Sequence, residues 1–443
     1  MKKNLLLCLP LLGSLMLSPL TSYASEQIST ENISSNIEDS DIKKFEDFIP
    51  KRNDSPEITS PPQISNTNYL LISTWQDLVH AINSPAINRM ELQNNITIPH
   101  EVELSAVERY ISIEGNGYNL DLGGNTLILS DDFSLSEIRI QGQADTLIYV
   151  ESSSRINSYI TNTEINLTEG QTFLEGDSTR VFLNGTNHFS SYPSENTPVA
   201  FKVNYLTIIG EVDVSEIALY DGTNGTALPT SVDNFGKLNG YISTSSNKPF
   251  INNAELVDVH INSVFSVKSA SDSPLISYTR SNGAFETPFV YLDEQSSTSL
   301  ENKGPLFTGR TYYQVYSVGY NIIQFSSLSN VVNAPRGVSL VLEGTENIVL
   351  ENLSAGGLFN SDFIRASIGG GFSVEPIVYN IGMKPIGHAN IPFTIFNNIE
   401  NLSVTQTPNL LLASSNNSEL RDFIRNIGGI RNISTLKLND KID

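Results

Sequence analysis

The chain is almost free of cysteine. Its single one, Cys8, sits among leucines near the N-terminus, so the rest of the sequence holds none. That excludes disulfide staples and thiolate metal sites. A domain outside the cell would then be held by its core and hydrogen bonds alone, which a small domain rarely achieves and a chain of 443 residues can. Basic residues are also scarce: 26 Lys and Arg stand against 48 Asp and Glu, a net charge of −22. Contact with nucleic-acid backbones is disfavoured, as is bulk attraction to anionic membranes or acidic polysaccharides. There is one tryptophan, Trp75. The five histidines, His80, His100, His188, His260 and His388, are scattered without metal-ligand spacing.

What is present begins with a leader. Lys2 and Lys3 precede an apolar run from Leu5 to Leu17, broken by Pro10 and Gly13, which ends at Ser22-Tyr23-Ala24. Small residues at the first and third positions before the cut suit a signal peptidase. The run is too short and broken for a stable membrane span. Residues 1–24 are therefore expected to be a cleaved signal peptide. From 25 to 68, Ser, Asn, Glu, Asp and Pro dominate, with too little apolar area to offset ordering entropy; this segment reads as a disordered acidic linker.

The folded part is expected over 69–443 and opens on an amphipathic helix. Trp75, Leu78, Val79 and Ile82 fall at i, i+3, i+4 and i+7, Thr74 can cap the start with Asp77 three residues on, and Pro85 follows the stop. His80 falls on its polar side. After it the period becomes two. Ile111-Ser112-Ile113, Leu120-Asp121-Leu122, Leu206-Thr207-Ile208, Val257-Asp258-Val259 and Leu402-Ser403-Val404 are typical strands, separated by turns rich in Asn, Gly, Ser and Asp. Many short strands without intervening helices allow a sandwich, a propeller or a solenoid. The unbroken run of strands and the recurrence of Asn beside strand ends favour the solenoid. Asn184, Asn252, Asn253, Asn262, Asn347, Asn352, Asn397 and Asn398 are placed to hydrogen-bond from rung to rung. Near the end, Leu420, Phe423, Ile424 and Ile427 form a second apolar stripe, with Ser418 as its cap and Gly428-Gly429 as its stop; Ile433 to Leu438 reads as a last strand. A helix at each end meets the need of a solenoid for terminal caps.

The stretch Ile72-Ser73-Thr74-Trp75-Gln76-Asp77-Leu78-Val79-His80-Ala81-Ile82-Asn83 is followed by Asn94-Asn95-Ile96-Thr97-Ile98. Then comes Ile111-Ser112-Ile113-Glu114-Gly115-Asn116-Gly117-Tyr118-Asn119-Leu120-Asp121-Leu122. Over residues 71–129 this resembles the pectate-lyase-like adhesive domain of Gram-positive bacterial cell-surface proteins. The resemblance implies an all-β, right-handed parallel β-helix with an N-terminal capping helix, to which the sequence adds a C-terminal one. It also implies an adhesive role at the cell surface. Many relatives carry an LPxTG sorting signal or a WxL wall-binding domain. Here the end reads Lys437-Leu438-Asn439-Asp440-Lys441-Ile442-Asp443, and Trp75 lies in no WxL motif, so attachment to the wall is expected to be non-covalent, through a partner, or absent.

Catalysis on such a scaffold needs acidic residues at similar strand offsets on successive rungs, around Ca²⁺ and with a basic residue for a lyase, or as a carboxylate pair for a hydrolase. Asp131-Asp132 and the set Glu211, Asp213 and Glu216 come nearest, and each reads more simply as a solvated turn or strand face. The Asp-His dipeptide, the Arg-x-x-Pro-x-x-Arg run and the Asn-Thr-Asp and Gly-His-Gly motifs are missing; Gly387-His388-Ala389 resembles the last superficially. Gly369-Gly370-Gly371 is a turn, with no Lys after it for a phosphate loop. The expectation is therefore no catalytic, metal or cofactor residues, and no cofactor. The expected function is that of a secreted, wall-associated adhesin or matrix protein binding a host-matrix or cell-wall polysaccharide or protein. A Ca-dependent polysaccharide lyase or glycoside hydrolase, and a scaffold subunit among wall proteins, remain open as alternatives. For ligand contact the candidates are Tyr312, Tyr313, Tyr316 and Tyr320, with Tyr312 and Tyr316 on one face and Tyr313 on the other.

Overall fold

The structure, a computed structural model, describes residues 59–62, 68–223, 229–243, 246–280, 287–343, 347–369, 378–387 and 392–439. The expected leader, most of the expected linker, His388 and Gly370-Gly371 lie outside the described residues.

Strand formation follows the period-two pattern. In Ile111–Glu114 the apolar Ile111 and Ile113 are buried and Ser112 and Glu114 half-exposed; Glu211–Ser215 repeats this with Val212 and Val214. Each turn of chain lays one strand in each of three sheets, which run to 15, 14 and 10 strands. The result is a parallel β-solenoid of about eleven turns, as expected. Register stacks like on like. In the first sheet Met90, Ile113, Leu135, Ile160, Leu183 and Ile208 form one internal column. In the third sheet, Leu174, Phe201, Tyr220, Ile251, Ile276 and Phe307 form another. All of these side chains are buried. Burial contributes about 1.5–3 kcal/mol per large aliphatic side chain, so the columns are the chief source of stability.

Asparagines do tie rung to rung, though chiefly by side chain to backbone. Asn187 Oδ1 accepts from Thr163 N at 3.1 Å, Asn204 Oδ1 from Ser178 N at 2.5 Å, and Asn321 Oδ1 from Ser296 N at 3.0 Å. Of the residues expected in this role, Asn252 and Asn253 donate to Asp221 on the preceding rung, while Asn352 serves its own turn through Ser354 and Gly357. Asn253, Asn262 and Asn398 take left-handed backbone, which their short polar side chains tolerate.

Helix α1 (Trp75–Asn83) carries the expected capping box: Thr74 Oγ1 accepts from Asp77 N and the Asp77 carboxylate accepts from Thr74 N. Its far end is held by Arg109, whose guanidinium donates to the carbonyls of Ala81, Ile82 and Ile87. Helix α2 (Ser418–Asn426) begins one residue earlier than its stripe suggested. Asn417, not Ser418, is the cap, because its Oδ1 reaches Leu420 N at 3.0 Å. Gly428 and Gly429, both at positive φ, end the helix, and Gly429 N donates to Ile424 O.

The parallel winding stops at Phe363–Gly369. Strands Asn401–Gln406 and Leu411–Ser415 extend the first sheet antiparallel, and Ile433–Asn439 lies antiparallel between Asn347–Asn352 and Tyr379–Pro385 in the second. The last part of the expected β-helix domain is thus an antiparallel closure, with α2 packed beside it through Phe396 and Phe423, whose ring centroids are 5.2 Å apart. Among the described residues no helix is long and apolar enough to cross a membrane.

Candidate functional site

Two outward faces concentrate chemistry. On the first sheet, alternation turns Arg180, Tyr205 and Ser231 outward in one column, and Tyr159, Phe182, Thr207, Asp233 and Asp258 in the next. Tyr159 and Phe182 stack at 5.3 Å. Asp233 and Asp258 occupy matching positions on adjacent rungs, and His260 follows Asp258 by two residues. Ligand atoms of the three lie within 4.8 Å of one another. The His260 ring stacks on Phe235 with centroids 3.5 Å apart, its Nε2 is 3.4 Å from Asp258 Oδ2, and Ser231 Oγ donates to Asp233 Oδ2 at 3.0 Å. Two carboxylates and an imidazole at this spacing can hold a divalent cation. They are 3%, 4% and 4% exposed respectively, which closes them to a polymer chain.

The expectation of no metal-ligating group thus missed an arrangement with suitable geometry. Asp233 and Asp258 share a strand offset one rung apart, a match that shows only once the rungs are in register. The acids singled out from the sequence are accounted for otherwise. Asp132 accepts from Asn157 N and Nδ2; Glu211 pairs with Lys237; Asp213 accepts from Asn239 Nδ2 and lies 3.4 Å from His188; and Glu216, at positive φ, accepts from Ser243 N. Asp131 is exposed in a turn.

The tyrosines divide as alternation predicted. Tyr313 is core, against Phe307. Tyr316 points outward, stacks on Tyr291 at 5.4 Å and donates to Glu343 Oε2 at 3.2 Å. Burial, with the Glu343 charge next, raises its phenol above the usual range, and burial raises the Glu343 carboxyl too. Tyr320 is exposed.

The second face is open. On the outside of the second sheet, Asp121, Gln141, Asn166 and Ser190 climb successive rungs, and with Thr168, Ser191 and Tyr192 they line a groove of about 650 Å³. Gln141 Nε2 donates to Asp121 Oδ2 at 3.0 Å and Ser190 Oγ to Asn166 Oδ1 at 2.5 Å, so the ladder is pre-ordered. The Asn166 amide donors have no protein partner among the described residues. Tyr192, at the groove's edge, is 89% exposed. An array of planar amides, hydroxyls and a carboxylate beside an unburied ring is suited to hydroxyl-rich ligands.

A family model described as "Putative pectate lyase-like adhesive domain" matches residues 71–264. The match extends well past the segment 71–129 and takes in both faces. No curated protein and no solved structure gives a significant match.

Proposed function

We propose, from the pectate lyase-like adhesive domain that residues 71–264 carry, that the protein is a secreted surface adhesin. In this reading it holds a carbohydrate chain along the outer face of its second sheet. The observation that carries the reading is the groove itself: polar side chains in register on successive rungs, with Tyr192 almost wholly exposed beside them. Parallel strands repeat every ~4.8 Å, so a chain lying along the axis would meet a new hydrogen-bonding side chain at each step. Individual contacts of this kind are weak in water, about 0.5–1.5 kcal/mol net, and several in a row are needed for adhesion. The ligand would come from host matrix or cell wall.

The test is retention of the full chain on intact cells and on immobilised wall and matrix polysaccharides, compared with Tyr192→Ala and Gln141→Ala. Loss of retention in the variants is the expected result; equal retention would defeat the groove reading. The rival is a polysaccharide-cleaving enzyme using Asp233, Asp258 and His260 around a cation, which their geometry favours and their burial opposes. Unsaturated or shortened products from uronan substrates, appearing only with added divalent cation, would favour it over adhesion.

A further inference from the structure

Several charges on this solenoid meet an opposite charge on a neighbouring rung. Arg139 meets Glu164 at 2.7 Å, Lys202 meets Glu175 at 2.5 Å and Lys268 meets Glu301 at 3.1 Å. Elsewhere two cations meet each other instead. Arg155 and Arg180, from successive turns, both lie over the ring of Tyr205, at 5.5 and 5.0 Å from its centroid. Neither guanidinium makes an ion pair or a hydrogen bond among the described residues, and Arg180 Nε is buried without a partner. Asp233 is within electrostatic reach of Arg180 without forming an ion pair with it. Burial, and next the Arg155 charge, hold the Arg180 guanidinium below its usual value, so each cation is unfavourable to the other.

Two like charges side by side, in a chain with a net charge of −22, repel each other with only Asp233 near enough to offset them in part, and leave Arg180 Nε without a protein acceptor. A guanidinium presents N–H groups in a fork that matches two oxygens of a carboxylate or sulfate, and a stacked aromatic ring fixes the fork's plane. Arg155 is exposed and Arg180 and Tyr205 are half-buried, so solvent reaches the pair. We infer that Arg155 and Arg180, ordered by Tyr205, form a binding site for an oxyanion substituent, a carboxylate or sulfate ester, on an acidic saccharide. The saccharide part of this assignment rests on the adhesive reading above. The oxyanion part does not, because the site lies on the first sheet and the open groove on the second.

The experiment is calorimetric titration of the full chain with four probes: inorganic sulfate, a sulfated tetrasaccharide, a uronic-acid tetrasaccharide and a neutral tetrasaccharide. Arg155→Gln, Arg180→Gln, the double variant and Tyr192→Ala are titrated alongside. Lys268→Gln is the control for net charge, and unfolding midpoints check that each variant folds. At least one acidic tetrasaccharide should bind, the neutral one more weakly. Each single arginine change should weaken the acidic probe about tenfold or more, as expected for a charge-assisted hydrogen bond. The double variant should lose the charge preference, while Lys268→Gln and Tyr192→Ala keep it. Which acidic probe binds identifies the substituent. Undiminished affinity in the double variant, or no binding of any oxyanion by the native chain, overturns the site. Binding of inorganic sulfate with no tetrasaccharide bound overturns the saccharide assignment and leaves the oxyanion site standing.

Discussion

Phe250 occupies the space that a side chain at position 240 would need: a Cβ on Gly240 would lie 2.6 Å from Phe250 Cζ and 3.0 Å from Val267 Cγ1. Gly240 stands in register between Val214 and Val267, inside the second sheet's apolar column. The gap it leaves is filled by a ring from the segment leading into the third sheet. Gly240→Ala should therefore destabilise the solenoid by about 1–3 kcal/mol, the usual effect of overpacking a closed core. The variant's denaturation midpoint should fall, and Gly240→Ala with Phe250→Leu should recover part of the loss; a midpoint equal to the native one would refute the packing account.

Arg109 is expected to matter more than an ordinary half-buried arginine. Its four hydrogen bonds of 2.7 to 3.1 Å go to the carbonyls of Ala81 and Ile82 at the end of α1 and, twice, to that of Ile87 in the loop that follows. Arg109→Met keeps the stem and removes the donors. A loss of roughly 1.5–3 kcal/mol is expected for hydrogen bonds to a charged group. Hydrogen exchange should show the amides of Leu78 to Asn83 opening faster, while those of distant rungs are unchanged.

Glu343 gives a pH dependence of defined sign. Burial raises its carboxyl above the usual value, and the Tyr316 hydrogen bond opposes this only in part. Between the ordinary Glu value of about 4.3 and the raised one, the folded chain binds more protons than the unfolded chain, so stability falls as pH rises through that window. Glu343→Gln removes the titration and keeps an acceptor for the Tyr316 hydroxyl. Its melting midpoint should exceed the native one at pH 7, and the difference should vanish near pH 4. A gain of equal size at both pH values would point to packing instead.

Tyr192 contributes nothing to the core, being 89% exposed. Tyr192→Ala should change stability by no more than about 0.5 kcal/mol. It should weaken carbohydrate retention by about tenfold, equivalent to roughly 1.4 kcal/mol of binding. Unchanged retention with an unchanged melting curve would remove the groove's exposed ring from the adhesive account.

Much of this architecture was readable from residues close together in sequence. The Thr74–Asp77 capping box and the apolar stripe from Trp75 to Ile82 are local features, and both stand in the structure as read. That Tyr313 and Tyr316 lie on opposite faces followed from alternation alone, while which of them is core had to come from the structure. The Asp233, Asp258 and His260 group was not found, because adjacency across rungs depends on how much chain each turn consumes. The step from Ile111 to Phe133 is far shorter than that from Val257 to Val290, so no fixed period aligns the acids. The antiparallel closure was hidden for a related reason. Leu402-Ser403-Val404 alternates like any parallel strand, and strand direction leaves no mark on a period of two.

That closure also sets an order of events. A parallel rung needs only the rung before it, so winding can follow the chain as it becomes available. The second sheet is different at its far end: the ladder from Asn347 to Glu351 pairs with Thr435 to Asn439, and Tyr379 to Pro385 joins only through that same strand. Until the strand arrives, Ile348 and Leu350 have no neighbour on that side, and the segment holding Tyr379 has no place in the sheet. The solenoid can therefore start from its N-terminal turns, but the second sheet beyond Asn347 waits for Thr435 to Asn439. Contacts over so long a stretch of chain are slow to form, and refolding should finish with this step.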